Sequence, residues 1–185
     1  MATLLTRAQD PIFASPIRKP NKFRDRPRVR SEIRKRPAMM LKRIPAFIDA
    51  ELLWVLASMG HGDELTIVDR NFPARKVAGA TMTGKLIVLA GISITDAILG
   101  ILELFPLDDF VAAPLKHMAS PDLAKLLDVH SEVMDIATRA EGRTMTSEPF
   151  ERMAFYAAAM TSFAVLQTAE TRPYANFILK KGVIR

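Results

Sequence analysis

The 185-residue chain contains no cysteine, which excludes disulfides and every thiolate-based metal site. That absence fits a reducing compartment, and the expected location is the cytoplasm. Aromatic residues make up only 7%, yet a hydrophobic fraction of 49% fits a globular protein rather than a disordered one. The length suits one domain with a core of its own. No apolar run approaches the roughly 20 residues needed to cross a bilayer. The longest candidate, residues 86–107, is broken by Asp96 and Glu103. The start of the chain lacks the compact apolar stretch and small-residue cleavage site of a secretory signal. No membrane partner is expected.

Several catalytic signatures are also missing. There is no dinucleotide-binding glycine fingerprint, no His-Glu-x-x-His zinc helix and no serine nucleophile elbow. The stretch from Gly79 to Lys85 has the spacing of a phosphate-cradling loop. However, Leu86 stands where the magnesium-binding hydroxyl belongs, and a strand-like run follows in place of a helix. The match is read as chance.

The net charge of +6 divides unevenly. Residues 1–38 hold 11 Lys+Arg against 3 Asp+Glu, whereas residues 39–185 hold 15 against 17. The basicity therefore belongs to a short leading segment, which also carries five prolines and shows no apolar period. Residues 1–38 are expected to form a disordered basic extension. One reading makes it a polybasic arm for nucleic acid or anionic membrane. The other places the native start at Met39 or Met40. The mildly acidic remainder shows no nucleic-acid-binding face.

In the remainder, helical and strand patterns alternate. Asp49 is placed to cap a helix through Met59, and Gly60 is expected to end it in the left-handed conformation. Strands are expected over 65–68, 85–90, 110–118, 163–168 and 176–180. Helices are expected over 96–104, 123–140 and 148–160, with 71–74 as a loop. The alternation predicts an α/β fold, a single layered domain with a central β-sheet covered by helices. Parallel against mixed strand order is left open by the pattern.

Histidine is rare, and one of the three, His61, lies between Gly60 and Gly62. Glycine on both sides lets the backbone turn sharply and leaves the ring accessible, at an entropic cost that plain solvent exposure does not require. An imidazole held this way suits proton transfer near neutral pH. Asp69 closes the strand that follows, where a carboxylate could bind hydroxyls or orient the imidazole. Asp63 is close enough to tune the turn.

A second cluster lies near the end of the chain. Tyr174 and Asn176 flank Ala175, so in extended chain they point the same way. A phenol beside a carboxamide offers donors and acceptors without charge, which suits sugar hydroxyls. Arg152 stands early in a helix, where a cation opposes the macrodipole. His117 and His130 are unremarkable in sequence, and the ten methionines read as core filler.

Taken in order, these motifs resemble the family that contains L-fucose mutarotase and D-ribose pyranase. The likeness begins with Met-Gly-His-Gly-Asp-Glu and Asp-x-Asn-Phe-Pro-Ala, and continues through Leu104-Phe-Pro-Leu-Asp108 and Ala113-Pro-Leu. It ends with Glu151-Arg-Met-Ala-Phe-Tyr156, Phe163-Ala-Val-Leu-Gln-Thr, Tyr174-Ala-Asn176 and Ile178-Leu-Lys-Lys-Gly-Val183. It covers about residues 40–183 and lapses over 75–85 and 129–146. The Phe-Tyr156 and Lys-Lys-Gly-Val elements lean toward the fucose branch.

The resemblance implies an α/β fold and an aldose mutarotase, an isomerase that opens and recloses the sugar ring. It implies that His61 is the catalytic proton donor and that Asp69, Arg152, Tyr174, Ala175 and Asn176 bind substrate. Tyr156 is a candidate proton relay. The implied partner is a monosaccharide, L-fucose or a related aldose. The implied assembly is a homo-oligomer, often a ring, with sites near subunit contacts. No metal or cofactor is required. The alternative function is a sugar-binding or transport-associated protein that uses the same pocket without catalysis.

Overall fold

The carboxylate of Asp49 opens the first helix as its position predicts, with Oδ1 accepting from the backbone N–H groups of Glu51 at 3.0 Å and Leu52 at 2.9 Å. The computed structural model describes residues 41–122 and 125–184, so the expected basic extension lies outside the described residues. Helix α1 spans Ala50–Ser58, strand β1 Glu64–Val68, α2 Ala74–Ala78, β2 Leu86–Leu89, α3 Ile94–Leu102 and β3 Leu115–Met118. Then follow α4 over Asp128–Glu141, β4 over Ser147–Phe150, α5 over Arg152–Met160, β5 over Ala164–Thr168 and β6 over Phe177–Lys180.

The six strands form one sheet in the order β2-β5-β1-β6-β3-β4. Strands β2, β5 and β1 run parallel, as do β3 and β4, while β6 is antiparallel to both of its neighbours. The sheet is therefore mixed, with a single reversed strand at its centre. Both faces are covered, and successive residues alternate between two apolar clusters. Leu65, Ile67, Leu166 and Leu179 pack with side chains of α1, α3 and α4. Val68, Val165 and Ile178 pack with α2 and α5 through Val77, Phe155 and Ala159.

The departures from the sequence reading have local causes. Helix α1 ends on Met59 in an extended conformation, and Gly60 is not left-handed. The ammonium of Lys181 donates to the carbonyls of Leu56 at 2.8 Å and Met59 at 2.6 Å. That contact satisfies the helix end without a glycine cap. Strand β3 begins only at Leu115, because Asp108 Oδ1 accepts the Phe110 N–H at 3.0 Å and turns the chain beforehand. The helix expected over 123–140 starts at Asp128. The one expected over 148–160 is divided into β4 and α5, and the expected loop at 71–74 leads into the short α2.

Candidate functional site

The sheet carries polar machinery at both ends of β1. The first lies where β1 begins. Gly62 adopts φ +87°, a left-handed conformation open to glycine without strain, and turns the chain directly after His61. The turn is held by several bonds. Asp63 Oδ2 accepts the Gly60 N–H at 2.7 Å, Lys181 O accepts the Gly62 N–H at 2.8 Å, and the Lys181 N–H donates to Asp63 O at 2.8 Å. Lys181 therefore fixes the histidine turn through its backbone while its side chain closes α1.

Beneath the ring lies Asp108, a residue the sequence reading did not assign to the site. His61 Nε2 stands 3.2 Å from Asp108 Oδ1, with side-chain exposures of 46% and 3%. Burial pushes the Asp108 carboxyl up. The Phe110 N–H and the His61 ring outweigh it, aided by Lys180, and hold the carboxyl below its ordinary value. An ionised Asp108 can accept from an Nε2–H, which assigns the other ring nitrogen, Nδ1, to any chemistry of the half-exposed ring. The ring of Phe110 packs 5.1 Å from the imidazole.

Asp108 can stand there because of a glycine. A Cβ on Gly182 would lie 2.6 Å from Leu107 O and 3.0 Å from the Asp108 Cα. The final Lys-Lys-Gly element thus does two jobs beside His61, one through Lys181 and one through the bare Cα of Gly182. The signal for Asp108 in the sequence was its place in the Leu-Phe-Pro-Leu-Asp block, 47 residues from His61.

The second group lies where β1 ends. A cavity of about 210 Å³ is lined by Asp69, Asn71, Phe72, Met118, Arg152, Tyr156, Pro173, Tyr174 and Asn176. Asp69 and Asn176 are buried and doubly bonded to each other. The Asn176 amide donates to Asp69 Oδ2 at 2.9 Å, and the Asp69 N–H donates to Asn176 Oδ1 at 3.0 Å. The other Asp69 oxygen accepts from Asn71 N at 2.8 Å and Phe72 N at 2.9 Å.

Tyr156 crosses Phe72 edge-on at 5.2 Å, which sets its ring at the wall. Arg152 is the first residue of α5, and its guanidinium makes no hydrogen bond or ion pair among the described residues. A neighbouring cleft of about 310 Å³ shares Arg152 and Tyr174 and adds Ser120 and Glu151.

Tyr174 reaches the cavity differently from the sequence expectation. Its backbone is left-handed, at φ +60°, so Tyr174 and Asn176 converge through a turn and not through an extended strand. Such a conformation in a bulky residue costs on the order of 1–3 kcal/mol and persists only when its surroundings enforce it. Here the segment is anchored upstream by Glu170. The Glu170 carboxylate accepts from the Thr171 and Arg172 N–H groups and from the Arg172 guanidinium, which also bonds Glu132 at 2.7 Å. Ala175 is fully buried in the core and is not among the residues that line the cavity.

The structure therefore brings Asp69, Arg152, Tyr156, Tyr174 and Asn176 together and leaves His61 apart. The five residues of β1 separate the two groups by about 17 Å at ~3.3 Å per residue. Asp69 does not orient the imidazole within the same chain; Asp108 does. Among the described residues no group of three or more His, Asp or Glu side chains is arranged to hold a metal ion.

The sequence matches the family described as the RbsD / FucU transport protein family over residues 42–184. It is 42% identical over 153 residues to the fucose mutarotase of Danio rerio, covering 79% of this chain and 95% of that protein. Against the L-fucose mutarotase of Actinobacillus pleuropneumoniae it is 41% identical over 145 residues, covering 78% and 97%. The fold superposes on the crystal structure of a fucose mutarotase from Streptococcus pneumoniae in complex with L-fucose with a TM-score of 0.68. That match has 33% identity and covers 78% of this chain and 100% of the other.

Proposed function

Because the chain belongs to the RbsD / FucU transport protein family, we propose that it is a sugar mutarotase, an isomerase that interconverts the α and β anomers of L-fucose or a related aldose. The observation that carries this reading is the convergence of Asp69, Arg152, Tyr156, Tyr174 and Asn176 on one cavity. Carboxylate, amide, phenol and guanidinium together can accept from and donate to a ring of hydroxyls. The cavity volume of about 210 Å³ is large enough for one monosaccharide.

Anomer exchange needs two coordinated proton transfers. A base removes the proton of the anomeric hydroxyl, the anomeric C–O bond to the ring oxygen breaks as the carbonyl forms, and an acid protonates that ring oxygen. Rotation about the C1–C2 bond and the reverse steps give the other anomer. His61, with Asp108 at its Nε2, supplies a group able to give and take a proton at Nδ1. Tyr156, on the cavity wall, serves as the second proton carrier. Asp69, Arg152, Tyr174 and Asn176 hold the hydroxyls.

Within one chain His61 cannot reach a sugar in that cavity. The reading therefore includes a homo-oligomer in which the His61–Asp108 pair of one copy meets the cavity of another. The half-exposed imidazole and the adjacent Phe110, 68% exposed, form the surface such a contact would cover. Residues 39–185 are assigned as the mutarotase domain, with residues 1–38 as a basic extension. Among the described residues no helix is long and apolar enough to cross a membrane. The cysteine-free composition supports a cytoplasmic place.

Saturation-transfer NMR on equilibrated L-fucose and D-ribose tests the activity. Wild type is expected to accelerate exchange, and His61→Ala to lose about 10²–10⁴-fold. Mixed assemblies of His61→Ala with Arg152→Ala subunits are expected to exchange faster at low sugar concentration than either variant alone. Binding of sugar without accelerated exchange would leave a binding protein that uses the same pocket.

A further inference from the structure

We infer that His130 is a positioning residue for sugar binding: its ring N–H holds the backbone of Tyr174 in the left-handed turn that presents the phenol to the cavity. This rests on the sugar-binding reading of that cavity and goes beyond it, to a residue on a different helix that does not line it.

His130 is fully buried in the first turn of α4. Both ring nitrogens are engaged. Nδ1 accepts the Leu127 N–H at 3.4 Å, so the ring proton sits on Nε2. Nε2 then donates to Tyr174 O at 3.0 Å. The same carbonyl accepts the Asn176 N–H at 2.8 Å, which ties it to the second sugar-facing residue.

This arrangement needs a neutral ring, and burial lowers the His130 pKa despite the opposing Tyr174 carbonyl. The ring is fixed on two further sides. His117 lies 4.3 Å away between centroids and Phe177 crosses it edge-on at 5.7 Å.

Packing alone does not account for an imidazole at this site. A leucine or phenylalanine would fill a buried position without the cost of burying two polar atoms. The imidazole contributes a rigid donor aimed at the carbonyl of a residue that is bent into an unfavourable conformation. Without that donor the Tyr174 peptide loses one of its two restraints, and a sugar must spend binding energy to order it.

The test compares His130→Gln with His130→Asn. Both are polar and neutral, but only the longer glutamine places an amide N–H near the Nε2 position. His130→Asn is expected to raise KM for L-fucose about tenfold with kcat little changed, the pattern of lost uniform binding. His130→Gln is expected to stay near wild type. Backbone amide shifts of Ala175 and Asn176 should move in the asparagine variant and return in the glutamine variant.

Two outcomes would overturn the inference: wild-type KM and unmoved shifts in His130→Asn, or equal losses of thermal stability, KM and kcat in both variants. If wild type shows no anomer exchange, the mutarotase reading fails. Calorimetric binding of L-fucose and the same shifts still decide the role of His130.

Discussion

At the start of β1 the chain presents a titratable ring to solvent over a buried carboxylate; at the end of the same strand it buries a carboxylate and an amide around a cavity. The histidine end is held mainly by backbone bonds from the β6 terminus and by the bare Cα of Gly182. The cavity end is held largely through side chains, chiefly the two hydrogen bonds between Asp69 and Asn176 and the Glu170–Arg172 anchor. A rigid strand fixes each group accurately and also keeps them apart. The proposed activity accordingly needs a second copy to bring proton donor and sugar together.

The ends should be separable by mutation. Gly182→Ala strikes only the histidine end, because the new Cβ meets backbone at 2.6 Å and neither side is a flexible side chain. It should destabilise by about 1–3 kcal/mol in urea unfolding, the usual cost of overpacking. Displacement of Asp108 should lower anomer exchange on the order of 10²-fold. Calorimetric sugar binding at the other end should be little changed; a matching loss of binding would mean that the ends are not independent.

Arg152→Ala strikes only the cavity end. It should weaken sugar binding about tenfold, the size of one charge-assisted hydrogen bond. Thermal stability should hold or rise slightly, since a cation is removed from a helix N-terminus. Calorimetry and thermal unfolding read the two effects apart. A loss of stability would show that Arg152 is a structural residue.

The sequence and the structure agree most where local chemistry decides. Asp49 as a helix cap and the apolar run of β1 are settled by residues within a few positions. Strand β4 was not legible, because Pro149 cannot serve a central strand and only the terminal place in the sheet makes it tolerable. Asp69, Arg152, Tyr174 and Asn176 stand out by residue type and place, and Tyr156 through the resemblance, but Tyr174 does not reach the cavity from an extended chain, since its left-handed turn is tied to His130 on a distant helix. Asp108 illustrates the general limit. Its contact with His61 is tertiary, and no local pattern reports it.

The smallest effect concerns the anchor of the cavity end. Burial pushes the Glu170 carboxyl up, but the Arg172 guanidinium and the Arg172 and Thr171 N–H groups pull it down to about 2 from an ordinary value of 4.5. A carboxylate depressed in the folded state stabilises fully above its unfolded pKa, and that contribution is lost as pH falls toward the folded one. Wild type should therefore exceed Glu170→Gln in stability at neutral pH, and the gap should close between about pH 4.5 and 2. The gap should be about 1–2 kcal/mol, less than full linkage, because Arg172 remains 37% exposed and screened. Thermal unfolding across that range measures it. At the histidine end the deficit of Gly182→Ala should also narrow in acid, because that variant displaces Asp108, whose carboxyl is likewise held below its ordinary value.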